Sequence, residues 1–575
     1  VWAIALAVTS SLLLAPATAA QADDYVPISG AGSSWSSNAI DQWRRNVQQY
    51  GMRINYASTG SVDGRNQFKA GTVDFAVTET PYGLKDNGIV ESPPTRGYAY
   101  MPVVAGGTSF MYNLTSGGQR ITNLRLSGEV VTKIFTGAIT KWNDPVIAAD
   151  NPGLALPPRQ IVPVVRSDGS GSTAQFTLWM SKRYGSDWDA YCAAAGRSTP
   201  CGLTSNYPVI AGKGFVAQPN SQGVSGYVAQ QANEGTITYV EYSYALKTGF
   251  PVAKVLNSAG YYVEPTASNV AVALLGARIN TDKGSDAYLT QNLDGVYANA
   301  DPRTYPLSSY SYIVVPTQAS GSFTSDKGAT LAAFSNYFLC EGQQQAEVLG
   351  YSPLPINLVE AGLEQVRQIP GAAVDNVDIK KCNNPTFSAD GTNTLAVNAP
   401  APSECDKKGV TQCTAGTGGA DTDTPTTGTA TGGGTATTDD DSATGSGSGG
   451  KNGGKGNGAD TDTDTDTGTG TDTGTGIGTE TGTGTDTSTD GTGGGTALPT
   501  DGTSGGSVSG GAGTTPQYCD ADTGQCTVLY AVPVVAPTGS GWSATDGVIV
   551  GVIVVLLLLV AGPGALVLAL RGRRR

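Results

Sequence analysis

Three short segments combine glycine with hydroxyl residues in a way that suits an anion. They are Gly30-Ala31-Gly32-Ser33-Ser34-Trp35, Thr59-Gly60-Ser61 and Arg166-Ser167-Asp168-Gly169-Ser170-Gly171-Ser172. Each lies between a strand pattern and a helix pattern. A helix start carries unpaired N–H groups and about half a positive charge, and glycine lets an anion come close to the backbone. Serine hydroxyls add donors, and Arg166 adds a full charge in a planar fork that matches oxyanions. A single loop of this kind is ordinarily just a cap and a turn. Taken together, with an arginine in one of them, they leave two readings open: three caps, or one oxyanion site.

Much other chemistry is excluded by composition. The chain has 575 residues and no histidine, so it holds no Ser-His-Asp or Cys-His pair, no His-liganded zinc and no imidazole base. A phosphate-binding GxxxxGK[ST] loop is missing too, since Gly212-Lys213 is followed by Gly214. The expectation is a protein that is not an enzyme and carries no cofactor. Lys and Arg number 34 against 48 Asp and Glu, a net charge of −14, and the tail supplies four of the cations (Arg571, Arg573, Arg574 and Arg575). The remainder is more acidic still, which argues against nucleic-acid binding.

The elements that must carry the three loops alternate. Strand patterns fall at 53–57, 73–77, 161–165, 237–240 and 312–315. A helix over 37–50 puts Ile40, Trp43, Val47 and Tyr50 on one face and stops at Gly51. A second, over 172–184, gathers Phe176, Trp179, Met180 and Tyr184. Strands alternating with helices predict an α/β fold, and residues 25–382 are enough for two packed lobes.

The ends fix an address. Residues 1–22 read as a signal peptide, an apolar run followed by Ala17-Thr18-Ala19. Residues 414–515 are nearly all Thr, Gly, Asp and Ser; they offer no apolar face and predict a disordered linker. Its Asp462-x-Asp464-x-Asp466 run lacks the glycine and the closing glutamate of a calcium loop. A short segment with Cys519 and Cys526 (516–547) leads to an apolar run at 548–570, about long enough to span a bilayer. The basic tail 571–575 then faces the cytoplasm by the positive-inside rule, with the body outside. Val535-Ala536-Pro537-Thr538-Gly539 resembles a sortase sorting signal with valine for leucine; a plain membrane anchor is the other reading. The clustering of the eight cysteines favours local bridges in an oxidising compartment: Cys192–Cys201, Cys340–Cys382, Cys405–Cys413 and Cys519–Cys526.

From Ser29 to Glu360 the chain resembles the PstS-like phosphate-binding proteins of phosphate ABC transporters. The resemblance rests on GAGSSW, INYASTGS, FKAGTVDFAVTETP, IFTGAITKWNDPVI, NPGLALP, VVRSDGSGSTAQFT, GTITYVEYSYA and GYSPLP, in that order. It implies a two-lobed, hinged type II periplasmic-binding-protein fold over 23–400. Lobe I would hold about 25–105 and 314–385, and lobe II about 106–313. Inorganic phosphate would sit in the cleft, to be passed to permease subunits by a monomer. Carried over residue by residue, the donors fall on Ser34, the Trp35 N–H, Ser61, Arg166, Ser170, Gly171 and Ser172, with Asp168 orienting Arg166. The family also uses one carboxylate to accept a proton from the ion. Sulfate has no such proton and would leave a repelled buried charge, at a cost of about several kcal/mol. Here Ser-Asp-Ala-Pro has become Thr78-Glu79-Thr80-Pro81. The longer Glu79 either pushes the ion outward or turns away and leaves Thr78 or Thr80 to act. A weakened site displayed on the long tether as an adhesin or wall protein is the rival function.

Overall fold

Strand–loop–helix units open the chain and set the pattern for the rest. The computed structural model describes residues 25–285, 287–373, 379, 382–386 and 392–427, together with the backbone of 517–519 and 526–528. The expected signal peptide, most of the linker, the pentapeptide 535–539, the apolar run 548–570 and the tail 571–575 lie outside the described residues. Among the described residues no helix is long and apolar enough to cross a membrane.

The first unit is β1 (Ile28–Gly32) and α1 (Ser37–Asn46), the second β2 (Ile54–Ala57) and α2 (Ser61–Ala70), followed by β3 (Phe75–Thr78). β1 runs parallel to both β2 and β3, with Ile28 opposite Ile54 and Gly30 opposite Phe75. α1 forms where the 3.6-residue apolar spacing predicts it. Its Trp43 is fully buried, stacks on Phe338 and donates Nε1–H to the Gly342 carbonyl at 2.8 Å. Burying such a side chain contributes about 1.5–3 kcal/mol. A 3-10 turn over Val47–Tyr50 ends at Gly51 with φ 83°, as the sequence predicts, but Tyr50 is exposed rather than on the buried face.

β4 (Tyr98–Tyr112) is the long strand of the molecule, and both halves use it. The later elements are β5 (Val162–Arg166), α3 (Gly171–Arg183), β6 (Val216–Gln218), α4 (Asn220–Val228), β7 (Thr236–Glu241), α5 (Tyr242–Thr248), β8 (Val252–Leu256) and β9 (Ser308–Pro316). The sheet order is β6-β5-β7-β4-β9-β3-β1-β2, with β8 also pairing β4. β4 pairs antiparallel with β9 from Tyr98 to Gly107 and with β7 from Thr108 to Tyr112. One strand therefore passes from one lobe to the other at Gly106-Gly107. Each lobe has its own core: Ile28, Trp43, Phe75, Ile313 and Phe338 in one, Phe110, Phe135, Trp142, Phe176 and Trp188 in the other.

Two boundaries differ from the sequence reading. The return to lobe I comes at Ser308 rather than near 314, because Tyr310 and Tyr312 join the first core. Their hydroxyls hid this: Tyr310 donates to the Leu289 carbonyl at 2.9 Å, and Tyr312 accepts the Gln291 N–H at 2.7 Å. Residues 414–427, assigned to the linker by composition, are instead held by hydrogen bonds. The Thr424 hydroxyl accepts the Thr122 N–H at 2.9 Å, and the Thr427 N–H donates to the Gly153 carbonyl at 2.8 Å. Just before them, the buried Arg125 donates to the carbonyls of Cys405 and Val410, each at 2.8 Å, and Lys254 pairs with Asp406. Side-chain hydroxyls and backbone carbonyls, not an apolar face, anchor this strap.

Disulfides join Cys192–Cys201, Cys340–Cys382 and Cys405–Cys413 as expected. The chain divides at Ser442, and the described part of the second unit is the antiparallel pair Gln517–Cys519 and Cys526–Val528, with Cys519 opposite Cys526.

Candidate functional site

All three Ser/Gly loops arrive at the seam between the lobes. Parallel strands deliver them: β1 and β2 in lobe I lead into α1 and α2, and β5 in lobe II leads into α3. The seam is closed by direct bonds, the Val62 N–H to the Gly169 carbonyl at 3.1 Å and the Gln175 amide to the Glu79 carbonyl oxygen at 2.8 Å.

Glu79 lies at the centre. Its carboxyl is turned inward and buried, 1% exposed, accepting from Ser33 Oγ on Oε1 and from Ser61 Oγ on Oε2, the latter at 2.6 Å. Ser61 Oγ in turn accepts the Gly171 N–H at 3.1 Å, which links the second loop to the third. Gly171 has to be glycine: a Cβ there would lie 1.9 Å from Glu79 Oε2 and 2.7 Å from Ser61 Oγ. Burial pushes the Glu79 carboxyl above its ordinary value, while the Ser33 and Ser61 hydrogen bonds and then the Arg166 and Arg65 charges pull the other way. The second of the two expectations for this side chain does not hold. Glu79 does not turn away, and the Thr78 and Thr80 hydroxyls are taken by the buried Arg65, which also pairs with Glu91.

Arg166 reaches the same place from the end of β5. It is 3% exposed and forms a two-pronged ion pair with Asp168, Nε–H to Oδ1 at 2.7 Å and Nη2–H to Oδ2. Its remaining Nη1 lies 3.5 Å from Ser221 Oγ. Asp168 also accepts the Asn220 N–H at 2.9 Å and lies against Gly60, whose φ of +99° and missing side chain make room for it. Ser34 completes the link across the cleft. Its hydroxyl meets Ser221 Oγ at 2.9 Å and accepts the Ser221 N–H at 3.0 Å.

The other predicted residues divide by what they do here. Ser170 Oγ caps α3, accepting the Thr173 N–H at 3.2 Å, a cap that stabilises the helix by about 1 kcal/mol. Ser172 Oγ is buried with no hydrogen-bond partner among the described residues. The Trp35 N–H is already given to Ser33 Oγ at 3.1 Å, and its ring is buried edge-on to Tyr351. Like that ring, Glu241 lies against Gly106 and is fully buried on β7; burial drives its carboxyl well above the usual range, and its Oε1 has no partner among the described residues.

Two contributors escaped the sequence reading. Ser33 is one serine among several in the first loop, and its residue type does not single it out, although it holds Glu79. Ser221 begins a fourth strand–loop–helix unit, β6 to α4, through Gln218-Pro219-Asn220-Ser221. The signal was available: a Pro-Asn-Ser step after a short strand is another helix start, but it lacks the glycine that marked the other three.

Two lobes that share a crossing strand and close on convergent helix starts define a binding protein with a cleft. The family model of the PBP superfamily domain matches residues 15–341. A phosphate-binding protein PstS from Xylella fastidiosa is 35% identical over 336 residues, 58% of this chain and 83% of its own length. A second PstS, from Haemophilus influenzae, is 31% identical over 58% of this chain and 90% of its own. The solved structure of a phosphate-binding protein from Stenotrophomonas maltophilia aligns over 59% of this chain and 93% of its own, at 17% identity and a TM-score of 0.44. The chain belongs to the PstS-like phosphate-binding proteins of this superfamily.

Proposed function

We propose that the chain captures inorganic phosphate outside the cytoplasm and delivers it to a phosphate ABC permease. The observation that carries this reading lies between the two lobes: Ser61 and Gly171 close on the Glu79 carboxyl, and Arg166, whose charge faces that carboxyl, meets Ser34 at Ser221. A tetrahedral oxyanion would take the Arg166 Nη1 hydrogens, the N–H groups at the start of α3, and the hydroxyls of Ser34, Ser61 and Ser172. The Ser172 hydroxyl gains most, since an unsatisfied buried polar atom costs about 1–3 kcal/mol. Asp168 holds the arginine fork, and Glu79 accepts the proton of the ion. Ser170 supports the site as the cap of α3 and the Trp35 N–H as a neighbour in the first loop.

About eight such hydrogen bonds, at roughly 1–3 kcal/mol each when charge-assisted, exceed the binding energy of a micromolar complex before ordering costs are subtracted. The chemistry is capture and release, not catalysis. Residues 1–22 would direct export. The threonine-rich segment would tether the lobes to the outer face of the membrane through 548–570, or to the wall after cleavage in 535–539. Residues 23–427, strap included, form the binding body, and Cys519–Cys526 would close a fourth bridge.

Isothermal titration of the full chain with inorganic phosphate tests the reading. Saturable heat at about one ion per chain is expected. A flat trace with phosphate would overturn it.

A further inference from the structure

Glu79 is held by two hydroxyls that differ in how far they are committed. Ser33 Oγ accepts the Trp35 N–H at 3.1 Å and the Ser36 N–H at 3.4 Å, so both of its lone pairs are used. Its single hydrogen has one place to go, Glu79 Oε1. Ser61 Oγ accepts only the Gly171 N–H, keeps a lone pair free, and could turn to accept a hydrogen from a protonated Glu79. Ser33 could not: a hydrogen on Oε1 would face the hydrogen of Ser33. Each carboxylate oxygen keeps a further lone pair for another donor.

We propose that Ser33 is a selectivity-determining positioning residue. By committing its only hydrogen to Oε1 it holds that oxygen of Glu79 as an acceptor, whatever Oε2 gives to Ser61, so that the cleft takes a tetrahedral oxyanion bearing a proton and refuses one bearing none. This deepens the phosphate reading and rests on it.

The surroundings of Glu79 leave that role to a hydroxyl. Arg166 and Arg65 are the cations that face it, but each is already paired, with Asp168 and with Glu91. The phenols Tyr56 and Tyr312 also face it; burial drives both well above their ordinary value, so they stay neutral. Burial alone favours a protonated Glu79, and a protonated Glu79 would be a donor that sulfate can use.

The test is titration of the full chain and of Ser33→Ala with inorganic phosphate and with sulfate, at about pH 8 and about pH 5.5. In Ser33→Ala the phosphate-to-sulfate affinity ratio should fall by about tenfold or more, and further at the lower pH as Glu79 takes up a proton. If Ser33 merely shaped the loop, both ions would weaken together; an unchanged ratio overturns the proposal. Glu79→Gln, which carries a permanent donor, should lose the ratio at both pH values even if the serine variant fails to fold, and a wild-type ratio there would overturn it equally. A wild-type chain that binds no phosphate would be a separate failure, that of the phosphate reading itself.

Discussion

Gly171 begins α3 with no room for a side chain, because Glu79 Oε2 and Ser61 Oγ close over it from lobe I. Gly171→Ala should therefore lower phosphate affinity by about tenfold or more, since the Cβ must push the carboxyl or the lobe away. Calorimetry beside a thermal melt checks this: affinity should suffer more than stability. At this scale the sequence was legible wherever residue type alone limits the chemistry. A planar cation beside an aspartate, and glycine at a helix start, announce themselves. Ser33, Ser34 and Ser36 do not. They stand almost side by side, and only the turn of the chain gives one of them the carboxyl, one the opposite lobe, and one no bond to its hydroxyl among the described residues.

At the scale of elements, the cleft is also fastened at its mouth. A hairpin pairing Lys85–Asp86 with Ile89–Val90 turns through Asn87-Gly88 and projects from lobe I. Its Asp86 pairs with Arg197 at 3.2 Å and accepts the Ser205 N–H at 2.8 Å. The Ser205 carbonyl in turn accepts the N–H of Ser170, the cap of α3. The hairpin is thus two bonds from the anion loop. Asp86→Ala should speed phosphate release several-fold, roughly the worth of one charge-assisted bond, with little change in association; stopped-flow dissociation measures it. Helices and strands with clear periodicity, such as α3 and β7, were legible within a residue or two. The hairpin was not, because its short strands carry exposed Ile89 and Val90 and no buried alternation.

Across the whole molecule, two buried carboxyls among the described residues, Glu79 and Glu241, are raised above the ordinary glutamate value of 4.5. A group that holds its proton more tightly when folded adds stability below its unfolded pKa and loses it as pH rises toward the folded one. Each pH unit crossed in that window removes up to about 1.4 kcal/mol per group. The ligand-free chain should melt lower as pH is raised from about 5 upward, and Glu241→Gln should flatten that slope. A slope unchanged by the substitution would count against a neutral Glu241. The strap at 403–427 makes a further demand. A chain ending before residue 403 strips Arg125 of the Cys405 and Val410 carbonyls and Lys254 of Asp406. It should lose about 2–5 kcal/mol of stability in denaturant unfolding. Composition hid the strap, because Thr and Gly read as spacer whether or not neighbours fill their hydrogen bonds.

The most direct trial compares phosphate titrations of the intact chain and of Arg166→Ala. Arg166 brings a full charge whose Nη1 lies beside Ser221, the partner of Ser34 across the seam. Loss of that donor, with Asp168 left unpaired, should weaken phosphate by about a hundredfold or more while the fold persists. Equal affinity in the two proteins would mean that the ion, if bound at all, is held somewhere other than where these helix starts meet.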